Sequence, residues 1–165
     1  MKKFASLLSI LLLFGCSNDT EDKERITILE NESNVAYSES QNLLAPWVCL
    51  ENQQEEQSNE PFLMTFEVTD GLKSIVDKDS NVSIDSRNLL NGSEEDISNL
   101  PPDGKSFCTG NTLPLTKEVN QDELENMVTQ GGIKVSITEL DGEVISSYTI
   151  KEFVIGKPDG SKIKP

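Results

Sequence analysis

The sequence contains no histidine among its 165 residues. This absence excludes serine and cysteine nucleophiles activated by a histidine base, histidine metal sites and the usual protonation switch near neutral pH. The sequence also lacks the glycine-rich fingerprint that binds dinucleotides or phosphates between a strand and a helix. Most of the common catalytic and cofactor-binding motifs are therefore absent.

Basic and aromatic residues are scarce. Lysine and arginine total 14 against 29 aspartates and glutamates, which gives a formal net charge of −15. Such a charge repels phosphate backbones and anionic lipid surfaces, so we expect no nucleic-acid partner. One tryptophan, two tyrosines and six phenylalanines offer little material for an aromatic-lined cleft. Carboxylates remain, and glycoside hydrolysis needs only two of them at a fixed separation.

The N-terminus has the layout of an export signal. Lys2 and Lys3 precede an apolar run at residues 4–14, which is followed by the small residue Gly15. The run is too short to span a bilayer, which requires roughly 20 apolar residues. We predict that residues 1–15 form a signal peptide that is removed.

The cleavage site, Leu13-Phe14-Gly15-Cys16, resembles the lipobox of bacterial lipoproteins. The resemblance implies cleavage before Cys16 and acylation of its thiol, which anchors the protein in a membrane. Ser17 stands where an aspartate would retain many Gram-negative lipoproteins at the inner membrane. The resemblance therefore implies the outer membrane, with the protein periplasmic or surface-exposed. An ordinary signal peptide with a chance cysteine is the alternative.

The remaining chain divides into three parts. Residues 16–24 carry the lipidated cysteine and a short acidic, polar segment, which predicts a disordered tether. Residues 25–156 are enough for one domain with a real core. Residues 157–165 lack apolar periodicity, and we predict a flexible C-terminal tail there.

Export also determines how the other two cysteines are interpreted. Cys49 and Cys108 would lie in an oxidising compartment, where only one pairing is left to them, so we predict a structural disulfide. They form no C-x-x-C motif, which argues against a redox role.

Short strand patterns dominate the domain. The clearest is an alternation in which four apolar residues share one face and polar residues share the other. The apolar four are Phe62, Met64, Phe66 and Val68. Further strands are predicted at residues 26–29, 47–50, 72–76 and 82–85, and polar, turn-forming residues occupy 31–42.

The last hairpin can be registered from its turn. Asp141-Gly142 between two β-branched runs predicts a two-residue type I′ turn. That turn pairs Ile133 with Ile150, and further pairs follow from the same register. These are Val135 with Tyr148, Ile137 with Ser146 and Leu140 with Glu143. The alternation slips at Lys151-Glu152, where we predict a bulge or bend.

One short helix is predicted near residues 121–130. Asn120 caps it, Gly131-Gly132 ends it, and an apolar stripe lies between them at Leu124, Met127 and Val128. Short strands, frequent turns, one helix and one disulfide together predict a mainly β fold. We expect an antiparallel β-sandwich of immunoglobulin-like or similar architecture.

One segment has the spacing of a calcium loop. In "DKDSNVSID", Asp77, Asp79, Asn81 and Asp85 occupy positions one, three, five and nine, as in the first half of an EF-hand loop. Val82 replaces the glycine of that pattern. The alternative interpretation is a polar turn between two strands, because aspartate, serine and asparagine favour turns. Calcium is the only cofactor that the sequence suggests.

Three functional hypotheses remain from the sequence. The first is a lipid-anchored, non-catalytic binding or adaptor module that engages an envelope protein or a glycan through its loops or a sheet edge. The second is an anchored inhibitor of an extracytoplasmic enzyme, and the third is a small carboxylate-dependent hydrolase. A hydrolase should show two carboxylates in one concave pocket, whereas a binder should expose an apolar or aromatic patch.

Overall fold

The computed structural model describes residues 25–54, 60–77, 82–86 and 106–156. The signal segment, Cys16, the acidic tether, Asp79, Asn81 and the C-terminal tail lie outside these ranges. The described elements are β1 (Ile26–Ile28), β2 (Asn34–Ser38), β3 (Leu43–Asn52), β4 (Leu63–Val68), α1 (Asp70–Lys73), β5 (Val82–Asp85), β6 (Ser106–Gly110), β7 (Leu113–Pro114), α2 (Gln121–Thr129), β8 (Ile133–Thr138), β9 (Val144–Ile150) and β10 (Phe153–Ile155). Two short 3-10 turns, Glu30–Glu32 and Glu39–Gln41, flank β2.

The first sheet is built around β3, the longest strand. Its order is β1-β3-β2-β10, and β6 and β7 also pair with β3. All of these pairs are antiparallel except β2 with β10, in which Val35 lies opposite Phe153 in a parallel register. Because β3 runs the length of the sheet, residues before Leu43 and after Asn52 lie at opposite ends of the domain.

The second sheet has the order β5-β4-β8-β9 and is antiparallel throughout. The alternation predicted for β4 is confirmed, since Phe62, Met64 and Phe66 are fully buried and Val68 is 2 % exposed. The opposite face carries the exposed Glu67. A half-buried strand of this kind needs a second apolar layer to cover its inner face.

That second layer is the first sheet. One continuous buried cluster contains Val35, Val48 and Leu50 from the first sheet and Phe66 and Val135 from the second. The prediction of a mainly β, antiparallel sandwich is thereby confirmed. Full burial of each such side chain contributes about 1.5–3 kcal/mol of hydrophobic free energy.

The predicted helix is confirmed as α2. The side-chain carbonyl of Asn120 accepts a hydrogen bond from the backbone N–H of Asp122 at 2.8 Å, which caps the first turn. Leu124 and Val128 are fully buried on one face. The helix ends where Gly131 adopts a φ of 102°, a left-handed conformation that glycine takes without strain.

The strand predicted at residues 72–76 is wrong. The chain forms α1 and a following turn there, with the Lys73 N–H bonded to the Thr69 carbonyl and the Val76 N–H bonded to the Leu72 carbonyl. The three buried side chains, Leu72, Ile75 and Val76, follow a spacing of three and four residues. That spacing places them on one side of a helical turn. The apolar residues of this segment therefore follow the period of a helix and not the alternation of a strand.

The turn region predicted at residues 31–42 is also wrong in part, because it contains β2. All five residues of β2 are buried, including the polar Asn34 and Ser38. Because both ends of β2 are polar, the sequence contains no apolar run that would predict this strand. Pairing with β3 on one side and β10 on the other stabilises it instead.

Three of the four predicted pairs of the last hairpin are confirmed, but the predicted pair of Leu140 with Glu143 is wrong, because Glu139 lies opposite Glu143, and the turn is not of type I′. Ile133 pairs with Ile150 and Val135 with Tyr148, as predicted. Asp141 is not among the described residues with positive φ, and the Glu139 N–H bonds the Glu143 carbonyl at 2.8 Å. The loop therefore holds one residue more than predicted. A bulge between Ile137 and Thr138 restores the predicted register, in which Ile137 lies opposite Ser146.

The bend predicted at Lys151-Glu152 is confirmed, and it has a larger role than a local irregularity. These two residues separate β9, which belongs to the second sheet, from β10, which belongs to the first. The chain thus crosses from one layer to the other at this point, and the slip in alternation marks the crossing.

Candidate binding sites

The predicted disulfide between Cys49 and Cys108 is confirmed. The two residues lie directly opposite each other on β3 and β6, with their Cα atoms 4.0 Å apart. Glu32 places a carboxylate oxygen within 4.8 Å of both sulfurs, and this is the one metal-like cluster among the described residues. Because both sulfurs are bonded to each other, they cannot act as thiolate ligands. The cluster is therefore structural.

The calcium interpretation stays a prediction. Asp79 and Asn81 fall outside the described residues, whereas Asp77 and Asp85 fall inside them. The Asp77 N–H donates to the Pro114 carbonyl at 3.1 Å. Asp85 ends the extended strand β5, opposite Leu63, and therefore lies roughly 10 Å from the start of that strand.

A cluster around Arg25 closes one end of the sandwich. The guanidinium of Arg25 donates two hydrogen bonds to the carboxylate of Glu139, at 2.9 and 2.8 Å. It also donates to the backbone carbonyls of Glu60 at 3.2 Å and Pro61 at 3.4 Å. The Arg25 side chain is only 10 % exposed. A planar guanidinium suits this arrangement because its donors are fixed in a fork that matches a carboxylate.

The cluster shapes an open depression beside the β8–β9 hairpin. Its volume is about 440 Å³, and its lining residues are Glu60, Pro61, Glu139, Leu140 and Asp141. Leu140 is 47 % exposed, and Val144 on the same hairpin is 62 % exposed. We call this surface, Leu140 and Val144 together with the lining residues, the hairpin surface. It combines exposed apolar side chains with an acidic rim.

A second cavity lies at the opposite end of the first sheet. It has a volume of about 260 Å³ and is lined by Tyr37, Glu39, Asn42, Glu118 and Val119. We call it the Tyr37 pocket. It adjoins the residue before β3, whereas the N–H of Gln53, the residue after β3, bonds the Arg25 carbonyl at 3.0 Å. The two clusters are therefore separated by the length of β3, roughly 30 Å.

The Tyr37 pocket is electronegative. The pKa of Tyr37 is raised above 10.0, first by burial and then by the negative charges of Glu39 and Glu118. The same side chain stacks on Phe153 of β10, with ring centroids 6.4 Å apart. The ring is thus fixed by the core, and its hydroxyl belongs to the pocket.

Neither cluster follows from a sequence motif. Arg25 and Glu139 are 114 positions apart in sequence, and the residues of the Tyr37 pocket come from β2, the turn after it and the segment before α2. The one available signal for the first cluster is Arg25 itself. It is an arginine placed directly before an apolar strand in an acidic chain, and such a residue commonly needs a partner when buried.

Comparison of the chain with protein families, with curated proteins and with solved structures finds no match. Among residues 25–54, 60–77, 82–86 and 106–156, no helix is long and apolar enough to cross a membrane.

Proposed function

We propose that the protein is a lipid-anchored, non-catalytic binding module of a Gram-negative outer membrane, which engages another envelope protein through the hairpin surface. The observation that carries this proposal is the exposure of Leu140 and Val144 at the tip of a braced hairpin. Large exposed apolar side chains that lie together on a rigid element are typical of interaction sites.

The charge around the hairpin indicates the chemistry of the partner. Glu60 and Asp141 line the depression beside Leu140, and the arginine at its base already pairs with Glu139. A complementary surface would present an apolar contact ringed by lysine or arginine, because opposite charges steer association and select the partner.

The bracing of the hairpin supports binding over a merely exposed loop. Arg25 joins Glu139, which closes the turn of the hairpin, to the backbone before β4 through four hydrogen bonds. A contact surface held in one conformation loses less entropy on association than a loop that must first be ordered.

The carboxylates at the other end do not favour a hydrolase. Glu39 and Glu118 line one cavity, but both side chains are exposed. A glycosidase needs one carboxyl group that stays protonated near neutral pH, and burial is the usual means of keeping it so. The binding role is therefore the better-supported function.

The hairpin is tested by comparing capture of envelope proteins by the full-length protein and by a Leu140→Ser, Val144→Thr variant. We expect a protein retained by the natural sequence to be lost with this variant. Ile155→Thr is the matched control, because Ile155 is also a large exposed apolar residue, at 45 %, but lies in β10. Equal retention by both variants and the natural sequence would contradict the proposal.

The anchor is tested separately by Cys16→Ser. We expect the variant to leave the membrane fraction, because its attachment depends on acyl burial. A variant that still fractionates with membranes would remove the lipoprotein assignment but leave the hairpin experiment valid.

A further inference from the structure

The carboxylates of the Tyr37 pocket have no cationic partner within the described part of the chain. Neither Glu39 nor Glu118 forms an ion pair with any described residue. At the other end of β3, Arg25 supplies the positive charge that Glu139 needs. The Tyr37 pocket therefore presents two carboxylates without the cation that its counterpart contains.

The Tyr37 hydroxyl is also without a partner. The residue is 6 % exposed and lines the cavity, and its hydroxyl forms no hydrogen bond with any described residue. A hydroxyl fixed by ring stacking between two carboxylates is suited to contact a bound group.

Asn42 adds a further oxygen, and its orientation is determined by its neighbours. Its side-chain nitrogen donates to the carbonyls of Leu115 at 3.1 Å and Lys117 at 3.5 Å. Because both neighbours are acceptors, the amide must present its nitrogen to them, which assigns the other atom as oxygen. That oxygen is buried and has no hydrogen-bond donor.

We propose that the Tyr37 pocket binds a primary ammonium group, supplied by a lysine side chain or by a free amine. An ammonium group offers three N–H donors and no acceptor. The pocket offers two carboxylates and a hydroxyl to accept them, and Val119 and the Tyr37 ring to contact the methylene groups behind the nitrogen. This goes beyond the proposed function, since the pocket lies at the opposite end from the hairpin surface.

A metal ion fits the same residues less well. Calcium prefers about six to eight oxygen ligands held close around it. Within the described residues, Glu39 and Glu118 belong to no group of three acidic ligands that lie within 4.8 Å of one another. The cavity of about 260 Å³ is also far larger than a bare ion needs.

The proposal is tested by nuclear magnetic resonance on the full-length, isotope-labelled protein in mild detergent. Nα-acetyl-L-lysine methylamide is the probe, and Nα-acetyl-L-norleucine methylamide, which lacks only the amine, is the control ligand. We expect the lysine probe to shift the amide signals of Tyr37 and Asn42 with a Kd on the order of millimolar. The norleucine compound should leave them unchanged.

Substitutions in the Tyr37 pocket test whether the lysine probe binds there. Glu39→Gln and Glu118→Gln should each weaken binding about fivefold, because each removes one partly solvent-screened charge contact. Tyr37→Phe keeps the stacked ring and should weaken binding about threefold by removing the hydroxyl. Glu143→Gln removes the same charge at the other end of the domain and should change nothing.

Titration with 1,5-diaminopentane distinguishes a free amine from a lysine side chain as the source of the ammonium group. Equal binding of the diamine supports recognition of the ammonium group alone, and tighter binding of the lysine probe supports a protein lysine. The proposal is overturned if the norleucine compound binds equally, if Glu39→Gln and Glu118→Gln bind like the natural sequence, or if calcium chloride shifts the same signals at lower concentration than either amine.

Discussion

The acidic side chains at the two ends of β3 differ in whether they have a cationic partner. At the C-terminal end, Arg25 is 10 % exposed and forms a two-point hydrogen-bonded pair with Glu139. At the N-terminal end, Glu39 and Glu118 line a cavity together with Tyr37 and have no cationic partner among the described residues. In a chain with 29 acidic and 14 basic residues, basic partners are limiting. Arg25, one of the two arginines in the sequence, lies where it braces a hairpin.

Glu139 is therefore a structural carboxylate, whereas Glu39 and Glu118 are available to bind a partner. Glu139 is part of a closed network, so its removal leaves a nearly buried guanidinium without its main acceptor. Glu39 and Glu118 are exposed and form no ion pair among the described residues, so neutralising either one breaks no such contact and lowers the excess negative charge of the chain. The same residue type should therefore have opposite effects on stability at the two ends, and the predictions below use that contrast.

The largest effect is expected at the disulfide, which lies between the two ends on β3. Replacing both cysteines, Cys49→Ala and Cys108→Ala, should lower the free energy of unfolding by about 4 kcal/mol, because the bond closes a long loop in the unfolded chain. Urea denaturation of the two proteins measures this. An unchanged midpoint would mean that β3 and β6 are held together equally well without the bond.

The next effect is expected at the Arg25 cluster. Arg25→Gln should lower the free energy of unfolding by about 2 kcal/mol, since Glu139 and the carbonyls of Glu60 and Pro61 lose their donors. Arg25→Lys should lose about half as much, because a point charge cannot replace a fork of donors. A double-mutant cycle with Glu139→Gln isolates the pair. Additive losses would show that the two side chains are not coupled.

A smaller effect of opposite sign is expected at the other end. Glu39→Gln and Glu118→Gln should each leave the free energy of unfolding unchanged or raise it by up to about 0.5 kcal/mol, because like charges are removed from an exposed site. The same urea experiment tests this against Glu139→Gln. A loss equal to that of Glu139→Gln would remove the contrast between the two ends.

The smallest effect is a shift in the ionisation of Tyr37. Its pKa is raised by burial first and then by Glu39 and Glu118, so Glu39→Gln should move it toward 10.0 without reaching it. Absorbance of the phenolate in a Tyr148→Phe background measures this, since the chain has two tyrosines. An unchanged pKa would show that Glu39 does not act on the hydroxyl.

The same shift has a consequence for stability with a definite sign. The folded-state pKa of Tyr37 lies above its unfolded value of 10.0. The contribution of the neutral hydroxyl is therefore fully present below about pH 10 and is lost as the pH rises through the folded-state pKa. Tyr37→Phe should reduce the fall in melting temperature above that pH.

Local patterns predicted most of the second sheet and α2. The alternation of β4, the register of β8 with β9 and the cap at Asn120 each depend on residues near one another in sequence. The predictions failed where distant contacts decide the conformation. β2 is polar at both ends yet buried, because two neighbouring strands complete its hydrogen bonds. Residues 72–76 were predicted as a strand, but their buried residues follow the period of a helix.

The two clusters could not be predicted for the same reason. Arg25 pairs with a residue 114 positions away, and Tyr37 meets Glu118 only after β2, β3 and β7 are assembled. An acidic chain contains many carboxylates, so the sequence alone does not indicate which few of them come together in one site. The disulfide was predictable because the predicted acylation of Cys16 leaves only Cys49 and Cys108 to pair.

The parallel pair of β2 and β10 has a consequence for the order in which the molecule folds. β2 is formed early in the chain, but one of its edges stays open until Val35, Ala36 and Tyr37 meet Phe153, Val154 and Ile155. A chain delivered from its N-terminus therefore carries an unfinished sheet edge until nearly the whole domain has emerged. We expect folding to be completed late and all at once, so that a chaperone would have a defined interval in which to hold the chain.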